Sequence, residues 1–182
     1  MKIKDERLNN PHFEDYADKV YDENLKPAII VDLDGTVALF NDRDPYDYES
    51  CVRDVPNKPL CDLINEISEG PSEIKILFVT GREDSGTAKN KTISWLLHKC
   101  GFYNYGSPYK QKLSDEDPEY DWELFMRKPG DRRPDNIVKA EIYKNKIEPH
   151  YNVMVVFEDR DSVVKMWRDL GLLCCQVYYG DF

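Results

Sequence analysis

Asp32 and Asp34 are two carboxylates separated by one residue, in Asp32-Leu33-Asp34-Gly35-Thr36, at the end of the apolar run Ala28 to Val31. A short run of this kind, rich in β-branched residues, reads as a buried strand. Side chains at i and i+2 of an extended chain point the same way, so both carboxylates reach one ligand while Leu33 turns into the core. Gly35 permits the sharp departure that keeps them at the rim. Neighbouring carboxylates stay ionised together when a cation compensates them, and a hard divalent ion such as Mg²⁺ takes oxygen ligands. An aspartate can also attack phosphorus to form an aspartyl phosphate. A carboxylate two residues on could then protonate the leaving oxygen and afterwards activate water. The plainer alternative is an acidic turn that only ends a strand.

Further candidates lie downstream. Ile74 to Val79 is a second buried run and leads into Thr80-Gly81-Arg82, where a hydroxyl and the following backbone N–H groups suit a phosphate oxygen. Asp135 and Lys139 stand four apart on an expected helix over Asp135 to Ile147. They are either an exposed pair worth a few tenths of a kcal/mol or a lysine that neutralises a phosphate beside an aspartate that holds a cationic neighbour. Val153 to Phe157 is a third run and ends in Glu158-Asp159-Arg160, which adds acidic oxygens to those of Asp32 and Asp34. Arg43, in the expected loop Val37 to Val55, is either a surface ion pair with Asp42, Asp44 or Asp47 or a planar fork for a phosphate.

Strands must set these groups along one edge, because ligands of open α/β sheets bind at the carboxyl ends of the strands. Helices are expected between them. Lys58 to Glu69 places Leu60, Leu63, Ile64 and Ile67 on one face, and Lys89 to Cys100 does the same with Ile93, Leu96, Leu97 and Cys100. Trp122 to Phe125 is expected as a helical turn, and Pro134 opens the helix that buries Ile137, Val138 and Ile142. Asp161 to Leu170 is a helix closed by Gly171, and Leu173 to Tyr179 is a last strand. A short strand is expected within Phe102 to Tyr109, and Lys110 to Asp121 as an exposed charged run. Residues 1–26 form either a mobile leader or a short helix over His12 to Tyr21.

A chain of 182 residues is expected as one domain with a substantial core. Five cysteines without a CxxC spacing argue against a disulfide framework or zinc site and for a reducing cytoplasm. No apolar stretch has membrane-spanning length, and the polar start MKIKDERLNN lacks a signal segment. A net charge of −10 opposes indiscriminate nucleic-acid binding, although Arg127 to Pro134 is a local basic stretch. No GxxxxGK[ST] occurs.

Together these residues resemble the haloacid dehalogenase-like (HAD) phosphatases. Asp32-Leu33-Asp34-Gly35-Thr36 is similar to their first motif, Thr80-Gly81 to the second, Lys139 with Asp135 to the third and Glu158-Asp159 to the fourth. A closer likeness is to the 3′-phosphatase half of bacteriophage-type polynucleotide 5′-kinase/3′-phosphatases. It is carried by Arg43-Asp44-Pro45-Tyr46-Asp47, Thr80-Gly81-Arg82-Glu83, Asp135 with Lys139, Glu141 and Ile142, Pro149-His150, Val164-Lys165-Met166-Trp167-Arg168, and the closing Gln176, Val177 and Gly180-Asp181-Phe182. It spans about residues 27–182.

The resemblance implies an α/β, Rossmann-like three-layer fold with a mostly parallel central sheet and no large cap domain. It implies a Mg²⁺-dependent polynucleotide 3′-phosphatase acting on RNA or DNA ends, 2′,3′-cyclic phosphates among its candidate substrates, with Asp32 as nucleophile and Asp34 as general acid and base. Thr80, Gly81, Arg82, Arg43, Asp135 and Lys139 would surround the phosphate; Asp32, the Asp34 main-chain carbonyl, Asp159 and Glu158 would hold the metal. Glu158 departs from the aspartate of the relatives. Without a kinase half, 5′-phosphorylation would fall to a separate kinase, with a ligase as a further partner. Tyr178 to Phe182 could pack against a second copy. The expected setting is cytoplasmic, the host cytoplasm for a viral chain. The alternative is a small-molecule phosphatase or nucleotidase, favoured by the acidic charge and opposed by the missing cap. A non-catalytic module that binds ends is opposed by the intact Asp32/Asp34 pair.

Overall fold

The computed structural model describes residues 22–44, 46–70, 72, 74–102 and 122–180. The expected helix over 12–21, the strand expected within 103–109, the charged run 110–121 and the pair 181–182 lie outside the described residues.

Five strands build one parallel sheet: β1 (Lys26–Val31), β4 (Lys75–Glu83), β5 (Trp122–Arg127), β6 (Tyr151–Arg160) and β7 (Cys174–Gly180), in the order β5-β4-β1-β6-β7. Between β1 and β4 run a two-stranded antiparallel ribbon, β2 (Ala38–Leu39) with β3 (Val55–Pro56), a 3₁₀ turn (Tyr48–Arg53) and helix α1 (Lys58–Ser68). Helix α2 (Gly86–His98) follows β4, α3 (Asp135–Ile142) continues as a π turn (Tyr143–Ile147) before β6, and α4 (Asp161–Asp169) precedes β7.

Period-two alternation divides the central strand between two cores. Ile29, Val31 and Leu33 pack with Ile76, Phe78, Cys61, Ile64, Trp95 and Leu96 on the α1/α2 side. Ala28 and Ile30 pack with Leu77, Val79, Val156, Tyr143, Ile147, Val164 and Trp167 on the α3/α4 side. Helices therefore cover both faces, the three-layer arrangement that all-parallel sheets require. Parallel crossovers are right-handed, so the chain covers one face as it moves outward through β4 and β5 and the other after it returns to β6. That return makes the carboxyl ends of β1 and β6 the topological switch point, where such sheets open a crevice.

Several expectations are corrected. Trp122 to Phe125 is not a helical turn but the core of β5, registered on Ile76 to Val79 of β4; pairing along that edge overrides the local pattern. Val37 to Val55 is not a plain loop, since it holds β2, the 3₁₀ turn and the start of β3. Leu63 is 49% exposed and Ile137 46% exposed. Cys61 and Lys139 occupy the inward faces of their helices instead. Helix α2 starts earlier than expected, because the Ser85 side chain accepts the Ala88 N–H and caps it. No helix among the described residues is long and apolar enough to cross a membrane.

Candidate active site

β1 delivers Asp32 to the switch point, and β6 delivers Glu158 and Asp159 beside it. Parallel pairing holds the two strands in register: Val31 lies opposite Phe157, and the Asp32 N–H donates to the Phe157 carbonyl at 3.0 Å. All three carboxylates are buried. One oxygen from each lies within 4.8 Å of the others. Helix α3, on the face it turns to the sheet, sends Lys139 into this group. Its Nζ donates to Asp32 Oδ1 at 2.6 Å and to Glu158 Oε2 at 2.8 Å. Asp32 Oδ2 is buried without a hydrogen-bond partner among the described residues.

Charge in this cluster does not balance: three carboxylates face one ammonium. Burial, then the charge of Glu158, pushes Asp32 up to about 7. Burial, then the charge of Asp32, pushes Asp159 up to about 6, and burial also raises Glu158. Burial opposes the charge on Lys139, but the Asp32 and Glu158 carboxylates outweigh it and hold the ammonium firmly protonated. An oxygen-only donor set with surplus negative charge and an orphaned carboxylate oxygen fits a hard divalent cation. Asp32, Glu158 and Asp159 are the residues that could hold it.

Gly35 makes this arrangement possible. Its φ is +90°, and a Cβ there would collide with the Asp159 carboxylate. Thr36 Oγ1 donates to Asp159 Oδ1 at 3.4 Å, and Gln176 of β7 donates to the Asp159 carbonyl at 3.0 Å.

Asp34 belongs to a second, balanced cluster. Arg82 grips it at two points, Nε to Oδ2 at 2.8 Å and Nη2 to Oδ1 at 2.7 Å. Arg43 Nη2 adds a bond to Oδ1 at 2.7 Å. Behind both guanidinium groups lies Asp54, which accepts Arg43 Nε at 2.7 Å, Arg43 Nη2 at 2.8 Å and Arg82 Nη2 at 3.2 Å. Two carboxylates thus meet two guanidinium groups. Burial would raise Asp34, yet Arg82 and then Arg43 hold its carboxyl below the usual range. Arg43 is not paired with the side chains of Asp42, Asp44 or Asp47; both arginine side chains are wholly buried and point at Asp34 and Asp54. A direct bond from either to a phosphate requires an exchange of partners.

Thr80 ends the buried part of β4, where its Oγ1 accepts the Arg82 N–H at 3.2 Å. Gly81 follows, and a Cβ on it would collide with the Asp135 carboxylate. Asp135 does not pair with Lys139. It accepts Arg127 Nη2 on Oδ1 and Arg160 Nη1 on Oδ2 at 3.2 Å, and Arg127 Nε also donates to the Gly81 carbonyl at 2.9 Å. One aspartate thereby ties α3 to β5, β6 and the turn after Thr80.

Sequence reasoning missed Asp54 and assigned no role to Arg127 or Arg160. Asp54 carries no local signal, since it becomes a partner of Arg43 only when the ribbon closes. The basic stretch did signal Arg127, without showing that the guanidinium turns back onto Asp135.

The polynucleotide kinase PNKP phosphatase domain model matches residues 26–182. A putative bifunctional polynucleotide kinase/RNA ligase of Autographa californica nuclear polyhedrosis virus is 31% identical over 146 residues, 80% of this chain and 18% of the relative. A chain in the structure of the Pnkp1/Rnl/Hen1 RNA repair complex is 33% identical with a TM-score of 0.73, over 90% of this chain and 46% of that one. A second structure of a Pnkp1/Rnl/Hen1 complex gives 33% identity and a TM-score of 0.70, over 88% of this chain and 49% of that one. The chain thus spans less than half of the solved relatives and about a fifth of the viral one.

Proposed function

The chain belongs to the family of polynucleotide kinase PNKP phosphatase domains, HAD-type phosphoric monoester hydrolases, and on that premise we propose that it removes 3′-phosphates from RNA or DNA ends with Mg²⁺ as cofactor. The observation that carries this reading is Asp32, whose Oδ1 is pinned by Lys139 while its buried Oδ2 is unpartnered. That oxygen is the nucleophile. It attacks phosphorus in line with the 3′-oxygen, so the Oδ2–P bond forms as the P–O3′ bond breaks.

Asp34 supplies the proton that O3′ takes up on leaving. A phosphate arriving beside it raises its proton affinity, as like charges do. In the second half-reaction Asp34 takes a proton from water, whose oxygen attacks the aspartyl phosphate and releases inorganic phosphate and the free Asp32 carboxylate. The Thr80 hydroxyl, the backbone N–H groups around Gly81 and the Lys139 ammonium take the equatorial oxygens. Arg43 and Arg82 orient Asp34, and Asp135 fixes the Gly81 turn through Arg127. Held by Asp32, Asp159, Glu158 and the Asp34 main-chain carbonyl, Mg²⁺ would draw charge from the transferring phosphoryl group.

The names of the relatives join this domain to kinase, ligase and RNA repair. We extend that setting to the present chain, with a kinase and a ligase on separate chains or separate domains as its partners. The test is to capture the intermediate. Brief reaction with an oligonucleotide carrying a labelled 3′-phosphate, followed by an acid quench, should leave label on the wild-type protein and none on Asp32→Asn. Equal labelling of both would overturn the scheme.

A further inference from the structure

The 3₁₀ turn carries an aromatic side chain that the chemistry above does not use. Tyr48 is the first residue of the turn. Asp47 caps it by accepting the Ser50 N–H, and the turn rests on α2 through Cys51 Sγ and Thr92 Oγ1, 3.9 Å apart. Thr92 Oγ1 also accepts Arg82 Nη1 at 3.1 Å. The turn is thus braced against the same arginine that grips Asp34.

Tyr48 is partly buried. Burial raises its phenol; the carboxylates of Asp34, Asp135 and Glu83 add to that, and Arg127 opposes it. Those groups come from both sides of the crevice: Asp34 follows β1, Glu83 and Arg127 close β4 and β5, and Asp135 opens α3. The ring therefore stands over the mouth, between the general acid and the Gly81 turn. A 3′-phosphate in contact with Asp32 leaves its own sugar and base at that mouth.

We propose that the aromatic face of Tyr48 stacks on the base of the 3′-terminal nucleotide and makes this site select nucleotide-borne phosphates over simple phosphate esters. The inference rests on the proposed 3′-end activity. Its chemistry suits a substrate of any sequence, because every base offers a π face. It also suits the local charge: Asp42, Asp44, Asp47 and Glu49 flank this wall and would repel a phosphodiester, whereas a neutral base meets no such penalty.

The experiment measures kcat and KM for wild type, Tyr48→Leu and Tyr48→Phe on three substrates. These are a 3′-phosphorylated oligonucleotide, the same strand with an abasic terminal nucleotide, and p-nitrophenyl phosphate. Leucine keeps volume and removes the ring. Tyr48→Leu should lower the ratio of oligonucleotide to p-nitrophenyl phosphate kcat/KM by about tenfold, mainly through KM. Tyr48→Phe should keep that ratio. Removal of the terminal base should cost wild type a similar factor and cost Tyr48→Leu little more. Tyr179→Ala, on the exposed end of β7, serves as the control and should leave the ratio unaltered. An abasic end processed by wild type as well as a normal end, or a Tyr48→Leu loss equal on all substrates, would overturn the inference while leaving the phosphatase reading intact. Wild type inactive on the oligonucleotide would overturn both.

Discussion

Lys139 and Asp32, far apart in sequence, meet through a 2.6 Å bond between two almost fully buried side chains, and Lys139 holds Glu158 at 2.8 Å as well. This ammonium is the counter-charge that lets two strand ends carry carboxylates into the core. Replacing it with Met leaves the carboxylates without a partner, and breaking a buried pair this way costs about 3–5 kcal/mol. Lys139→Met should lower Tm markedly and abolish phosphate release, and added Mg²⁺ should recover part of the Tm but none of the turnover. Thermal melts with and without the ion, beside an activity assay, check both halves.

The surplus negative charge gives metal-free stability a pH dependence of definite sign. Asp32 titrates near 7 in the folded chain and about 3.9 when unfolded. Between those values the folded state binds more protons than the unfolded state, so this group lowers stability as pH rises through that window. Asp159, raised to about 6, acts in the same direction. Asp32→Asn should flatten the decline. Mg²⁺ should raise Tm more at pH 8 than at pH 5, because protons compete for its ligands at the lower pH. An equal shift at both would show that the ion binds elsewhere.

Asp54 acts only through Arg43 and Arg82. Asp54→Asn keeps the shape and removes the charge that divides the two guanidinium groups between Asp34 and itself. It should lower kcat by about tenfold or more with little change in KM, and destabilise the fold by about 3 kcal/mol. Kinetics on a 3′-phosphorylated oligonucleotide separate this outcome from loss of substrate binding, which would raise KM instead.

Two glycines separate close approach from mere flexibility. Gly81→Ala drives a Cβ into the Asp135 carboxylate and should disturb the turn after Thr80, with kcat/KM falling by about a hundredfold. Gly86→Ala, at the start of α2, meets nothing within 4 Å and should stabilise the chain by about 0.4–1 kcal/mol with full activity. Denaturant melts and initial rates on both variants decide it.

Strand ends were legible in the sequence where an apolar run stops at chemistry. Asp32, Thr80 and Asp159 each follow such a run, and a parallel sheet has to bring them to one edge. Lys139 was legible through its spacing from Asp135, although the two side chains diverge, one into the metal cluster and the other to Arg127 and Arg160. Asp54 was not legible, because its partners come from another loop and another strand. Trp122 to Arg127 read wrongly because a strand at the sheet edge owes its shape to β4 and not to its own residues.

The central claim is tested most directly by phosphate release from a 3′-phosphorylated oligonucleotide, with Mg²⁺ and with chelator, beside a 3′-mononucleotide. The account predicts metal-dependent release, faster from the oligonucleotide than from the mononucleotide, and none from Asp32→Asn. Release from the mononucleotide alone, or release that survives both chelation and the Asp32→Asn substitution, would contradict it.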